Sequence, residues 1–479
     1  MINCAVANMS PYVPSAAMPW TKARAMHLYR RMTLGTDVDT INAAIQMDPL
    51  VLVDDLVDEA LATPLSPEPP FANKIKSEYG LALLESVLEK DDWARKWILE
   101  LQNNGLRGRM ALFWHNHFVT RFDIYESSSY MYQYHKLLQQ HALGNFKDFV
   151  YAIGLTPAML IFLNGSQNTA GSPNENYARE VYELFTLGVD NGYTQMDIVE
   201  TARALTGYTN IPDEWGPILF DPNTYDDGEK TIFGQTGNWG YDEVIDLLFE
   251  QRAEQIAQFI AGKLYRHFVN PEVDEDMITD LATIFRNSNW DIATLMRSLF
   301  KSTHFFDEKN RGTLIEGHLE TILMFFREAH VEISGLTVLG IYGDTTKNGQ
   351  ALFNPVDVAG WPGNRSWINT DSINYRWEYF ESQLGILLVF TFGDLGDMAK
   401  KITTEIEDVE VVCRDIVDYF LPMGLQFETD YADALISFKG EIPENYFQDG
   451  TWNINYWALP LQVYGLLRYL VRIPEYQLK

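Results

Sequence analysis

The chain has 479 residues and a formal charge of −30, from 66 acidic and 36 basic residues. This charge repels nucleic-acid phosphates and anionic membrane surfaces unless basic residues form a local patch. The sequence contains no such patch, which excludes a nucleic-acid partner. A hydrophobic fraction of 46% is ordinary for a globular protein, and the length predicts two or three lobes.

The first stretch, residues 1–19, is a proline-containing lead. It lacks the basic start and the continuous apolar block of a secretory signal, so we expect a cytoplasmic or an already processed chain, two alternatives that the sequence does not separate. No run of about 18 apolar residues occurs, so no transmembrane segment is expected. The two cysteines, Cys4 and Cys413, are too few and too far apart for a disulfide framework.

Helical periodicity dominates the rest of the chain and predicts an all-α protein, a multi-helix globular array with two long irregular insertions. In the first insertion, the string DDGEKTIFGQTG favours a β-hairpin or an ordered loop. The second is rich in Trp, Gly and Pro. The predicted regions after the lead are a helical region at 20–210, the first insertion at 211–240, a helical region at 241–335, the second insertion at 336–372 and a helical region at 373–479.

The string FWHNHF, residues 113–118, contains the histidines that we consider first. At helical spacing His117 shares a face with Phe113 and Trp114, so we expect it to point inward. His115 lies roughly 160° away around the helix, so the two imidazoles cannot bind one metal ion from a regular helix. Each histidine is either a packed, hydrogen-bonded residue or a group that handles a proton or a metal ion.

The segment with the clearest helix start and stop signals is 172–207. Ser172 is predicted as an N-cap, with Glu175 completing a capping box and the helix running to about residue 187. Gly188 then supplies the left-handed C-terminal residue. A second capping box at Thr194 begins another helix, which ends near residue 207.

The polar face of the first of these helices allows two interpretations. Arg179 is spaced i, i+4 from both Glu175 and Glu183, and such pairs on an exposed helix contribute only a few tenths of a kcal/mol. Alternatively, another helix covers this face, and Arg179 holds carboxylates in fixed positions inside a cleft.

We expect the two insertions and the loop at 165–173 to converge near this helix and to form a polar cleft around residues 174–183. The candidate catalytic residues are Glu175, Arg179, Glu180, Glu183, His115 and His117. The candidate substrate-binding residues are Asn174, Asn176, Lys230, Trp361, Arg365 and Trp367.

No cofactor and no metal ligands are predicted. The sequence has no HExxH, Walker A, G-x-S-x-G or Rossmann motif, and none of the compact ligand spacings that indicate a metal site. Carboxylates are abundant, so a divalent metal ion stays an alternative to a structural network of arginine and carboxylates.

Several strings together resemble the bacterial family catalogued as domain of unknown function 1800. They cover nearly the whole chain: HLYRRMTLG (27–35), FWHNHF (113–118), NENYARE (174–180), ELFTLG (183–188), YTQMDIVETARALTGY (193–208), DDGEKTIFGQTGNW (226–239), LFNPVDVAGWPGNRSWIN (352–369) and IPEYQLK (473–479).

The resemblance implies an essentially all-helical protein with no assigned activity. Members of the family are often exported, which points to the cell envelope, and are often encoded beside a second protein that looks like the alkaline phosphatase superfamily. Many members carry a histidine before the acidic pair of the first insertion, where this chain has Tyr225. If that histidine is a metal ligand in the family, this chain lacks it.

Two classes of function follow from these observations. The acidic surface and the lack of a catalytic motif favour a binding or scaffold protein that works with a partner protein, for which the phosphatase-like neighbour is a candidate. The density of polar residues at 174–183 favours the alternative, a hydrolytic or metal-assisted enzyme of the cell envelope or the extracellular space.

Overall fold

The fold is mainly α-helical, which confirms the predicted class. A computed structural model describes residues 8–333, 335–390 and 392–479. The first seven residues of the predicted lead, with Cys4, lie outside the described residues. The rest of the lead is irregular chain, and Pro11 forms a β-bridge with Ser302.

Short connections join most of the helices. The first eleven are α1 (Lys22–Thr33), α2 (Val38–Ala44), α3 (Pro49–Ala62), α4 (Ala82–Asn103), α5 (Gly105–His117), α6 (Phe122–Tyr125), α7 (Ser128–Gln140), α8 (Phe146–Gly154), α9 (Pro157–Phe162), α10 (Asn176–Glu180) and α11 (Gln195–Ala204). The others are α12 (Tyr241–Gln251), α13 (Ala253–Phe268), α14 (Glu275–Asn287), α15 (Ile292–Lys301), α16 (His318–Glu328), α17 (Gly335–Lys347), α18 (Thr370–Phe390), α19 (Phe392–Ile402), α20 (Val409–Phe420), α21 (Glu428–Lys439), α22 (Glu444–Gln448) and α23 (Leu459–Leu470).

The first insertion contains the predicted hairpin. Strands β1 (Lys230–Ile232) and β2 (Gln235–Gly237) pair antiparallel across a turn in which Phe233 and Gly234 both have positive φ, as a tight two-residue hairpin requires. The backbone N–H of Phe233 donates to Asp197 Oδ1 (2.7 Å), which fastens the hairpin to α11. The capping box of Thr194 and Asp197, which begins α11, is as predicted.

The predicted start of the helix at Ser172 is wrong. The Ser172 N–H donates instead to the carbonyl of Thr169 in a tight turn, and α10 begins at Asn176. Asn174 replaces the expected cap: its N–H donates to Asn168 Oδ1 (2.9 Å), and its own Oδ1 accepts from the Asn176 N–H (3.0 Å). The predicted end is correct, since Gly188 has φ +94°.

The second half of that helix is not α-helical. Residues Val181–Thr186 form a π-helix, in which the Leu187 N–H donates to the Tyr182 carbonyl five residues back. A π-helical segment inside an α-helix is rare, and such segments occur often at functional sites.

The predicted second insertion is also too long. Its first third is the helix α17, Gly335–Lys347, so the irregular chain is confined to residues 348–369 with one 3₁₀ turn, Asn364–Trp367. Helix α17 contains Gly340 and Gly343, and glycine lowers helix propensity. The packing of α17 against α4 stabilises the helix despite these glycines.

Helix α5 lies at the centre of the N-terminal half and packs against α1, α3, α4 and α7. All of its residues are buried except Gly105 and Asn116, including the side chains of Arg107 and Arg109. A helix that is buried on every side presents residues to several neighbours at once. We predicted one inward face, and the structure shows that His115, at the opposite side from His117, is equally enclosed.

Candidate functional site

A cavity of about 450 Å³ lies where four segments of the chain meet. Its walls come from α5, from α13, from the segment around the start of α16, and from the Trp-Gly-Pro loop, which we define as residues 359–367. The lining residues used below are Phe113, Asn116, His117, Phe259, Lys263, Arg266, His267, Glu316, Glu320, Trp361 and Trp367.

His115 anchors the chain that leads into the Trp-Gly-Pro loop. Its Nε2 accepts a hydrogen bond from the Phe353 backbone N–H (3.0 Å), so the proton of the neutral ring is on Nδ1. The ring stacks on Trp361 with 5.3 Å between centroids. Burial lowers the pKa of His115 to about 3, so the imidazole is uncharged at neutral pH.

Asn116 holds the loop itself. Its Nδ2 donates to the Trp361 carbonyl (3.1 Å), and its Oδ1 accepts from the Trp361 N–H (2.6 Å). The two bonds fix both backbone groups of one residue. Gly360 has φ +82° and approaches Asn116 so closely that a β-carbon there would clash with the Asn116 oxygens. Glycine is therefore required at the contact between helix and loop.

His117 connects α5 to the π-helix and to α13. Its Nε2 lies 3.0 Å from the Phe185 carbonyl, which only accepts, so Nε2 carries the proton and donates. Nδ1 is then an acceptor for Lys263 Nζ at 3.0 Å. Burial and, secondarily, the charge of Lys263 hold the pKa of His117 well below its usual range.

The π-helix supplies two carbonyl oxygens that contact His117 and Lys263. The last carbonyls of a helix lack intrahelical partners. Here Phe185 O accepts from His117, and Leu184 O lies 3.5 Å from Lys263 Nζ. The helix of the NENYARE string thus reaches the cavity through its C-terminal end, at which the helix dipole favours positive charge.

Lys263 and Arg266 make the α13 wall of the cavity cationic. Burial, assisted by the charge of Arg266, lowers the pKa of Lys263 to about 8. Neither Lys263 nor Arg266 forms an ion pair with a carboxylate within residues 8–333, 335–390 and 392–479, since no carboxylate oxygen there lies within 4.0 Å of their side-chain nitrogens. Arg266 is exposed, as is Pro362 across the cavity, so both lie at its mouth.

The segment around the start of α16 contributes two buried carboxylates to the cavity. Glu316 accepts from Arg109 Nη2 (2.5 Å), and Glu320 accepts from Gln350 Nε2 (2.6 Å). Burial and then the neighbouring Glu316 raise the pKa of Glu320. Arg109 Nε and Nη1 find no hydrogen-bond acceptor in the described part of the chain, so Glu316 compensates that guanidinium only in part.

Two further donors or acceptors at the cavity are buried without a partner in the described ranges. They are Trp361 Nε1 and His267 Nε2. Buried polar atoms in native proteins nearly always have partners, so unsatisfied atoms that line a cavity indicate a place for a ligand or water.

The predicted polar face of residues 175–183 lies elsewhere. Arg179 donates to Glu175 (2.8 Å), Glu183 (3.3 Å) and Gln195 (3.0 Å), and its side chain is 36% exposed. Of the two interpretations, the arrangement matches the solvated i, i+4 pairs. Glu180 is half-buried, and burial and then Glu183 raise its pKa.

The other predicted residues divide between the cavity and the surface. Trp361 and Trp367 line the cavity, whereas Arg365 is exposed and absent from its lining. Asn176 donates to Asn164 Oδ1 (2.9 Å) at the surface. Lys230 donates to the Asp226 and Gly228 carbonyls inside the first insertion, so the structure does not bring this insertion to the cavity.

Sequence reasoning missed Asn116, Lys263, Arg266, Glu316 and Glu320. Asn116 stood in the conspicuous string FWHNHF but was read only as a neighbour of two histidines. The other four belong to no motif, and only the arrangement of helices brings them together. Tyr225 donates to the Trp239 carbonyl (3.0 Å) in the first insertion and is not part of the cavity.

Two features of the described residues concern the kind of site. No group of three or more His, Cys, Asp or Glu residues there could hold a metal ion. Within the same residues, no helix combines the length and the apolar character needed to cross a membrane.

These observations define a mainly α-helical protein with a cavity formed by helices and a tryptophan-containing loop. The family model described as "protein of unknown function (DUF1800)" matches residues 27–478, and the chain belongs to this family. Neither the curated proteins nor the solved structures contain a match to the chain.

Proposed function

We propose that this protein binds a small organic anion in the cavity between α5, α13 and the Trp-Gly-Pro loop. The observation that carries the proposal is the positive charge of the cavity wall in a protein of net charge −30. Among the described residues, Lys263 and Arg266 line the cavity without carboxylate partners, and Arg109, which binds the lining residue Glu316, has two nitrogens without an acceptor.

The charges at the cavity do not cancel. Glu316 is occupied by Arg109, and Glu320 binds the amide of Gln350 and is more easily protonated than an exposed glutamate. Buried charges are normally paired, so a surplus of cations in a cavity favours an anionic occupant. An arginine at the mouth is well suited to a carboxylate, which it binds through two parallel hydrogen bonds.

The remaining walls indicate an occupant with an apolar part. Phe113, Phe259, Trp361 and Trp367 all line the cavity. Aromatic walls with a few placed polar groups are typical of small-molecule sites, whose volumes run from about 300 to 1,000 Å³. The volume of about 450 Å³ lies inside this range and fits one ring with a short acidic arm.

The sequence favoured a binding or scaffold protein that works with a partner protein, which is a different kind of binding from a small-molecule site. That the chain also works as a scaffold with a partner protein stays a prediction, for which copurification from the native host is the test. The hydrolytic or metal-assisted alternative likewise stays a prediction, for which turnover of a substrate is the test.

The experiment compares matched acids and amides. Titration calorimetry is run with benzoate, phenylacetate and phenylpyruvate and with the neutral amides of the first two. We expect the acids to bind about tenfold or more tightly than the amides, because a hydrogen bond to a charged group contributes about 1.5–3 kcal/mol.

The variants Lys263→Met and Arg266→Gln should each weaken binding of the acids, whereas Lys400→Met, at an exposed surface lysine, should not. Equal affinity for acids and amides contradicts the proposal, as does the absence of binding for the whole panel.

A further inference from the structure

We infer that Lys263 is a nucleophile that forms an imine with anionic ligands carrying a ketone or aldehyde group, such as 2-oxo acids. The inference rests on the proposed binding of an organic anion and adds a covalent step to it. It starts from the position of one amine in the cavity wall, which contacts two neutral acceptors and has no carboxylate partner in the part of the chain that the structure describes.

The two acceptors orient the amine. Nδ1 of His117 lies 3.0 Å from Lys263 Nζ, and the Leu184 carbonyl lies 3.5 Å from it. In the neutral amine these two contacts use both N–H groups, so the lone pair occupies a remaining tetrahedral direction. Nδ1 of the neutral His117 ring cannot donate to Lys263, because the single ring proton is on Nε2, where it is donated to the Phe185 carbonyl.

The surroundings raise the fraction of Lys263 that is neutral amine, although the ammonium stays the major form at neutral pH. A lysine becomes nucleophilic when it is desolvated or placed beside another cation, and Lys263 has both conditions, with Arg266 one helical turn away in the sequence of α13. The pKa of Lys263 is lowered to about 8. At pH 7.4 roughly a fifth of the side chain is then free amine, against about a thousandth for an exposed lysine.

The step balances without any oxidant or reductant. The lone pair of Nζ attacks the carbonyl carbon, the π electrons of the C=O bond move to oxygen, and a proton passes from nitrogen to that oxygen. The resulting carbinolamine takes up a proton on its hydroxyl, loses water and forms the C=N bond. Glu320, which lines the same cavity and has a raised pKa, is suited to supply that proton.

The structure also offers a place for the acid group of the ligand. Arg266 lies at the mouth with an unpaired guanidinium, and Trp361 Nε1 is a buried donor without a partner among the described residues. A 2-oxo acid places its carboxylate and its ketone on adjacent carbons. One ligand therefore satisfies the cation and presents its carbonyl carbon to the amine.

The test traps the imine. The protein is incubated at pH 7.4 with phenylpyruvate and sodium cyanoborohydride, and the mass of the intact chain and of its peptides is measured. We expect one reduced adduct per chain, located at Lys263, formed on the order of tenfold or more faster than at any other lysine. An excess of phenylacetate, which has the acid group but no ketone, should slow the labelling.

Two variants separate the covalent role from a purely structural one. Lys263→Met and Lys263→Arg remove the nucleophile, and the arginine keeps the positive charge, so it should retain phenylacetate binding while losing the adduct. Circular dichroism verifies that each variant is folded. Lys400→Met should label at Lys263 like the parent protein.

The outcomes distinguish this inference from the proposed function. Phenylacetate binding without an adduct at Lys263 overturns the inference and leaves the anion site standing. Labelling that spreads evenly over surface lysines also overturns it. A protein that neither binds phenylacetate nor forms the adduct contradicts both.

Discussion

The cavity and the surface network of Arg179 use similar residues to very different effect. Arg179 bridges two glutamates on its own helix, with about a third of its side chain exposed. Arg109, which is buried and binds the cavity-lining Glu316 from a distant segment, has two nitrogens without an acceptor in the described part of the chain. Exposed pairs contribute little because water competes for both ions, whereas a buried ion without its partner is strongly unfavourable. Whether charged side chains are buried therefore predicts a functional site better than how densely they follow one another in the sequence.

The largest expected effect is at the buried pair. Glu316→Gln removes the carboxylate from Arg109 and should lower the free energy of unfolding by about 3–5 kcal/mol, because the guanidinium stays buried without compensation. The matched control, Glu175→Gln in the surface network, should cost no more than about 1 kcal/mol. Urea unfolding followed by circular dichroism measures both. Similar losses for the two variants contradict the comparison.

The next effect concerns the anchor of the loop. Asn116→Ala deletes both hydrogen bonds to Trp361 and should destabilise the protein by about 2 kcal/mol, at roughly 1 kcal/mol for each bond. Asn176→Ala, which loses one bond at the surface, is the control. Thermal unfolding gives the stabilities, and tryptophan fluorescence reports whether the loop has moved. If Asn116→Ala changes neither the stability nor the tryptophan fluorescence, packing alone holds the loop.

The third prediction concerns pH. The pKa of His115 is lowered by burial to about 3, so between pH 6.5 and 3 the unfolded chain binds a proton that the folded chain does not. Stability therefore falls as the pH drops through this window, by about 1.4 kcal/mol per pH unit for this group. The variant His115→Gln should reduce the slope by that amount, and His330→Gln, at an exposed histidine, should leave it unchanged. Free energies of unfolding from denaturant titrations at pH 5.5, 5.0 and 4.5, where the unfolded histidine is almost fully protonated, measure the two slopes.

The smallest effect is expected at Arg179 itself. Arg179→Met removes three hydrogen bonds of a solvated side chain and should change the free energy of unfolding by less than about 1 kcal/mol. The change should shrink further in 1 M salt, where the Debye length is about 3 Å. A loss above 2 kcal/mol at high salt indicates that the network is covered in solution.

Local patterns in the sequence predicted the features that local physics decides. The helical class, the hairpin at Lys230, the capping box at Thr194 and the left-handed Gly188 each depend on residues within one or two turns of the chain. The error at Ser172 is also local. Asn168 accepts from the Asn174 N–H and Asn174 accepts from the Asn176 N–H, and a capping pattern alone does not show which side chain caps the helix.

The cavity depends on contacts that no local pattern contains. Lys263 is one of many lysines until α13 is packed beside His117, and Glu316 looks like any acidic residue until Arg109 lies against it. The sequence predicted the inward position of His117, whereas the burial of His115 on the other side of α5 was not predicted. It could not indicate that Asn116, between them, binds the loop, because that contact joins residues 245 positions apart.

That separation has a consequence for how the molecule assembles. Closing a flexible segment of this length costs roughly 5 kcal/mol of chain entropy by the (3/2)RT ln n estimate, so the contact between Asn116 and Trp361 forms only after the intervening helices have packed. The loop wall of the cavity therefore folds late. An occupant that contacts both α13 and the loop binds only molecules in which this wall has formed, so raising its concentration raises the fraction of molecules with the wall in place.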